Sequence, residues 1–162
     1  MKSVRLSGFD YRAANQAYFV TAKFKLPLQE TVCSKLFEAL LQLIGDSEYT
    51  CDALVVMPDH IHVLVRAGDS DRTALSDLVC ILKSKSVYLL KQENLITESF
   101  WQRGYHEHVI RGPVDLKEKL TYIVNNPIRA SLVEVEETYR YLYVAALEKG
   151  RRKAAPYAME ET

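Results

Sequence analysis

Two histidines flanking a single residue, His60-Ile61-His62, are the first place in this chain where chemistry could gather. On a strand successive side chains alternate, so both imidazoles project from one face while Ile61, Val63 and Val65 project from the other. The apolar three mark the core side. The rings then stand on the face opposite the helices, close enough to share one metal ion through neutral ring nitrogens. The same pattern also describes two surface or partly packed histidines on a half-exposed strand, and spacing alone does not choose between the two.

A second constellation is Thr121-Tyr122-Ile123-Val124-Asn125-Asn126-Pro127. Leu116, Leu120, Ile123 and Val124 form the apolar stripe of a helix there. At about 100° per residue, Tyr122 and Asn126 fall together on one flank, away from the centre of the stripe. Residues four apart are neighbours on a helix surface, so a phenol and an amide oxygen can converge on one point. Lys119 lies one turn away, where it is either a solvated lysine, the reading to prefer, or a charge that acts on the phenol. The alternative is an exposed amphipathic tyrosine, with an asparagine that ends the helix before a proline.

The third group is Phe100-Trp101-Gln102-Arg103-Gly104-Tyr105-His106-Glu107-His108, which continues to Arg111. Aromatics interleaved with cations make a platform for unstacked bases. A lone tryptophan also serves as a core anchor, so Trp101 has two readings. His106 and His108 repeat the His-x-His spacing, with Glu107 facing the other way.

The elements that must position these groups follow from periodicity. Ala17 to Phe24 reads as a strand, and Leu36, Phe37, Leu40, Leu41 and Ile44 mark a helix stopped at Gly45. Cys51 to Met57 and Ile61 to Arg66 read as a hairpin turned at Met57-Pro58-Asp59. A longer helix spans Thr73 to Leu90, with Lys83, Lys85 and Lys91 on or beside its polar side. Phe100 to Arg111 reads as extended and Asp115 to Asn126 as helical. Strand, helix, two strands, helix, strand is the ferredoxin-like order. The predicted class is therefore α+β, an antiparallel sheet with helices packed on one face.

Composition sets the remaining bounds. The chain has 162 residues, and its 21 Lys+Arg balance 21 Asp+Glu. That size supports one core without disulfides or a structural metal. No repeat or linker interrupts it before the last stretch, which predicts a single domain over residues 1–147 and a tail over 148–162 holding Lys149-Gly150-Arg151-Arg152-Lys153. No apolar run approaches a bilayer span, and Met1-Lys2-Ser3-Val4-Arg5 lacks the apolar stretch of a signal peptide, so a cytoplasmic setting without membrane contact is expected. Cys33, Cys51 and Cys80 form no Cys-x-x-Cys pair and are expected to be buried small hydrophobes. Zero net charge argues against a generic polyanion binder. From Lys83 to Arg129, however, eight Lys/Arg face five Asp/Glu, which leaves a modest basic surplus around Tyr122.

Taken together these stretches resemble the HUH single-tyrosine transposases, and more closely their REP-associated branch. The residues that carry the resemblance are Gly8-Phe9-Asp10-Tyr11, Tyr18-Phe19-Val20-Thr21, Val55-Val56-Met57-Pro58-Asp59-His60-Ile61-His62, Phe100-Trp101-Gln102-Arg103, His108-Val109-Ile110-Arg111 and Tyr122-Ile123-Val124-Asn125-Asn126-Pro127. The resemblance implies that His60 and His62 bind Mg²⁺ or Mn²⁺ and that Tyr122 is the nucleophile. It implies that Asn126 completes the metal site, where the broader family has glutamine. The family pattern usually has Asn before the first histidine; Asp59 departs from it and bears on metal preference.

The activity implied is nicking and rejoining of single-stranded DNA at hairpin sites through a 5′-phosphotyrosine. Lys83, Lys85, Trp101, Arg103, Arg111 and Arg129 are the expected nucleic-acid contacts, and a homodimer is compatible with the family. Two other readings stay open at this point. One is a domesticated hairpin-DNA-binding protein that does not cut; the other is a small metallohydrolase that uses both histidine pairs.

Overall fold

The computed structural model describes residues 16–69, 73–134 and 137–148. The expected tail, Glu148 apart, and the Gly8-Phe9-Asp10-Tyr11 stretch lie outside those residues. The chain runs β1 (Ala17–Lys23), α1 (Glu30–Gly45), β2 (Thr50–Val56), β3 (His60–Arg66), α2 (Leu75–Gln92), β4 (His106–Val109), α3 (Pro113–Arg129) and β5 (Leu142–Val144). The five strands form one antiparallel sheet in the order β4-β1-β3-β2-β5. No helix among the described residues is long and apolar enough to cross a membrane.

Alternation along the strands builds two apolar layers. Tyr18, Val20 and Ala22 of β1, Leu54 and Val56 of β2, and Ile61, Val63 and Val65 of β3 face α1 and α2. Those helices contribute Leu36, Leu40, Ile44, Leu78, Leu82 and Leu90 to the same layer. This is the antiparallel α+β arrangement that the element order predicts, with the two helices of the ferredoxin-like unit on one face. The opposite face is also apolar over part of its area: Ala53, Val55, Met57, Leu64 and Val144 gather around Ile123 of α3. Apolar residues of both parities on β2 and β3 demand a cover on both sides, because burying each such side chain contributes roughly 1.5–3 kcal/mol. α3 therefore lies on the histidine face.

Two local devices set where α3 begins and ends. Gly112 at its N-cap has φ 145°, a region essentially reserved for glycine, and Pro113 occupies the first turn, where its missing N–H costs nothing. The helix does not stop at Asn126-Pro127 as the Asn-Pro signal suggests, but continues to Arg129. So near the helix end, Pro127 removes only the one bond its own N–H would have made. The actual stop is Ser131 at φ 58°, with Leu132 N donating to Pro127 O (2.9 Å) and Ser131 N to Ile128 O (3.0 Å). That is a Schellman closure made without glycine. β5, which pairs with β2, is an element that periodicity did not indicate.

Candidate active site

The pleat of β3 carries both imidazoles to the α3 face, and the ladder decides their neighbours. Lys23 pairs with His60, and Thr21 pairs with His62. Thr21 Oγ1 lies 2.8 Å from His62 Nδ1, and Asp59 Oδ1 lies 2.7 Å from His60 Nδ1. The two Nε2 atoms face each other at 3.1 Å. His62 is buried, its ring stacked on Phe19 at 5.1 Å between centroids. Burial first, then the nearby His60 and Arg129, push its pKa down to about 3, with Asp59 opposing. The ring is therefore neutral, the form a metal requires.

α3 brings its flank down on this pair. Tyr122 makes an edge contact with His62 at 5.2 Å and with Phe19 at 6.0 Å between centroids. The Arg129 guanidinium sits 4.3 Å over the Tyr122 ring. Tyr122, Asn126, Arg129, His60 and Asp59 line one cavity of about 610 Å³. Tyr122 keeps 40% of its surface exposed, whereas Asn126 keeps 9%. The phenol can thus meet a substrate, while the amide lies largely buried at the cavity wall.

The donor set fits a divalent cation. Two nitrogens bonding one ion at about 2.0–2.1 Å and at right angles stand about 3 Å apart, close to the separation of the Nε2 atoms. Among the described residues no group of three or more His, Cys, Asp and Glu is gathered for a metal, and Asn126 is the amide that lines the same cavity as His60. The second His-x-His is not part of this group. His106 and His108 lie on β4, which β1 separates from β3, and His108 Nε2 is held by the two Asp115 carboxylate oxygens at 2.8 and 3.0 Å.

The expected nucleic-acid residues divide. Arg129 is in the cavity, and Arg103 and Arg111 are exposed on either side of β4. Lys85 is exposed on α2, on the other face of the sheet. Lys83 is tied down: its Nζ donates to Gln102 O (2.9 Å) and Gly104 O (2.5 Å) and lies 5.7 Å over the Trp101 ring. Trp101 requires a correction. It is only 5% exposed, packs against Phe24 and Phe100, and donates its indole N–H to the buried Ser86 Oγ at 3.1 Å. It is a core anchor, because a base cannot stack on a ring whose faces are already covered.

Two further expectations change. Lys119 reaches over Phe19 at 5.8 Å, so the cation against the phenol is Arg129 instead. Cys33 is buried, but Cys51 is half-buried and Cys80 exposed. Sequence reasoning did not single out Phe19 and Thr21 as site residues. Their only signal was the Tyr18-Phe19-Val20-Thr21 stretch, whose role depends on a pairing partner distant in the chain.

Comparison with known proteins gives consistent matches. A family model described as "Transposase IS200 like" matches residues 16–126. The chain is 28% identical over 134 residues to a putative REP-associated tyrosine transposase of Haemophilus influenzae, covering 73% of this chain and 76% of that protein. It is 27% identical over 109 residues to the REP-associated tyrosine transposase of Escherichia coli, covering 66% of this chain and 61% of that one. Its fold superposes with a TM-score of 0.66 on a solved REP-associated tyrosine transposase bound to a REP hairpin, at 23% identity and covering 83% of this chain and 77% of the other.

Proposed function

The chain belongs to the IS200-like transposase family, and on that premise we propose that it nicks and rejoins single-stranded DNA at hairpin sites, REP-like in kind, through a covalent bond to Tyr122. The observation that carries this reading is the shared cavity. A phenol, an amide and a guanidinium from α3 line it with the His60 imidazole of β3, and the buried His62 ring lies against His60 and Tyr122.

In this mechanism the Tyr122 Oη attacks a backbone phosphorus. The new P–O(Tyr) bond forms as the P–O3′ bond breaks, and the phenolic proton ends on the departing 3′-hydroxyl. The phosphoryl linkage is kept as a 5′-phosphotyrosine, so a second 3′-hydroxyl can reverse the step without an external energy source. His60, His62 and Asn126 would hold a divalent cation, Mg²⁺ or Mn²⁺, which supplies charge to polarise the scissile phosphate. Arg129, whose guanidinium lies over the phenol ring, would meet the non-bridging oxygens of the same phosphate. Phe19 and His62 pack edge-on against the Tyr122 ring and restrict it.

The test is formation of a denaturant-stable protein–DNA adduct with a single-stranded oligonucleotide carrying a REP-like hairpin, in Mg²⁺ or Mn²⁺. Wild type is expected to form the adduct and Tyr122→Phe to form none. An equal yield from the Phe variant refutes the assignment. Retention of the hairpin by both without scission marks a binding protein instead.

A further inference from the structure

The two rings of the proposed metal site are themselves held from behind, by residues to which the reading above gives no role. Asp59 Oδ1 contacts His60 Nδ1 at 2.7 Å, and Thr21 Oγ1 contacts His62 Nδ1 at 2.8 Å. A carboxylate can only accept, so His60 Nδ1 must carry the hydrogen, and the lone pair of the neutral ring lies at Nε2. A threonine hydroxyl can accept in the same way and leave the His62 Nε2 lone pair free. The two Nε2 atoms lie 3.1 Å apart, within hydrogen-bond distance, so a cation between them would displace any ring proton they share.

The backbone that carries these partners is anchored. Asp59 sits in the β2–β3 turn, where Met57 N donates to His60 O (2.8 Å), Phe24 N to Asp59 O (2.9 Å) and Leu28 N to Pro58 O (2.8 Å). Those bonds fix the turn against the end of β1, so the carboxylate beside His60 stands on a rigid support although its side chain is 68% exposed. Thr21 is in the centre of the sheet, hydrogen-bonded between β3 and β4.

We propose that Asp59 and Thr21 are the positioning residues of this site, Asp59 holding His60 and Thr21 holding His62 in the Nδ1–H form that leaves both Nε2 atoms ready for one divalent cation. This rests on the metal-binding reading above. Outer partners of this kind orient a ligand ring and are worth about 10- to 100-fold in metal affinity. The aspartate adds charge near the ion, whereas an asparagine would keep the acceptor and lose the charge.

The experiment uses full-length protein stripped with chelator, titrated with Mn²⁺ by water-proton relaxation, with ¹⁵N spectra of the histidine rings recorded before addition of metal. Asp59→Ala and Thr21→Val are expected to weaken Mn²⁺ binding by about tenfold or more, and Asp59→Asn and Thr21→Ser to recover most of it. The spectrum of wild type should show His60 protonated at Nδ1, and that preference should vanish in Asp59→Ala. A loss below tenfold in either truncation overturns that residue's assignment, as does an unchanged His60 tautomer in Asp59→Ala. If wild type takes up no Mn²⁺, the metal reading fails. The tautomer spectra then judge the positioning of His60 by themselves, and circular-dichroism melting identifies any variant that has simply unfolded.

Discussion

Truncating Ile123 to alanine should separate the anchoring of α3 from the stability of the rest of the molecule. Ile123 is fully buried and is the centre of the small layer formed with Ala53, Val55, Met57 and Leu64, and the next residue back is Tyr122. The substitution deletes three buried carbons, about 2.4 kcal/mol at ~0.8 kcal/mol each. The cavity left behind raises this to about 3–4 kcal/mol, within the range for large-to-alanine changes in cores. For a domain of this length each kcal/mol lowers Tm by about 2–4 °C, so the fall should be about 6–16 °C. Leu40→Ala is the control: Leu40 is equally buried, but lies between α1 and the other face of the sheet. Both variants should lose comparable Tm. At a temperature where both stay folded, only Ile123→Ala should slow formation of the Tyr122 adduct and speed hydrogen exchange of the α3 amides. A Tm loss for Ile123→Ala below about 3 °C, or equal slowing of the adduct by Leu40→Ala, would refute the argument that this contact positions the phenol.

Arg129→Ala should weaken hairpin binding and reduce the slope of log affinity against log salt by about 0.7, the share of one phosphate contact on a single strand. Lys83→Ala should leave that slope unchanged and lower Tm instead, because its ammonium is bound to Gln102 and Gly104 carbonyls. Burial opposes ionisation of Asp115, but the Arg111 N–H and His108 outweigh it and hold its carboxyl below the usual value of 3.8. Stability from that group is therefore present above pH 3.8 and lost as pH falls through the lower folded value. Asp115→Asn should melt below wild type at pH 7, with the gap closing as both are melted toward pH 2–3. Burial raises the Cys33 and Cys51 thiols to about 11 and about 12, so iodoacetamide at pH 8 followed by mass spectrometry should label exposed Cys80 first.

How far the sequence reaches is clearest at the site. Alternation on β3 placed His60 and His62 together, and helical phase placed Tyr122 with Asn126, because both inferences use only a local repeat of 2 or 3.6 residues. The same local logic misjudged Asn126-Pro127 as the end of α3, since a proline in the final turn forfeits a single bond while the flanking apolar residues still gain by burial. β5 escaped notice because three residues at a sheet edge form no repeat to detect, and their strand character comes from pairing with β2.

Trp101 shows where composition stops. An aromatic followed by an arginine is the same string whether the ring faces solvent or lies under α2, and only the pairing of Phe24 with Trp101 and the bond to Ser86 decide it. In physical terms, the sequence by itself determined the elements, their apolar faces and the residue types able to bind a metal or attack a phosphate, since these follow from neighbours within a turn or a strand. The tertiary structure alone decided that α3 closes over the histidine face, that Thr21 and Asp59 grip the rings, and that Arg129 rather than Lys119 covers the phenol. The Thr21–His62 contact and the seat of Tyr122 on Phe19 join residues far apart in the chain, while Asp59–His60 and Arg129–Tyr122 are near neighbours whose side chains are turned together only in the packed site.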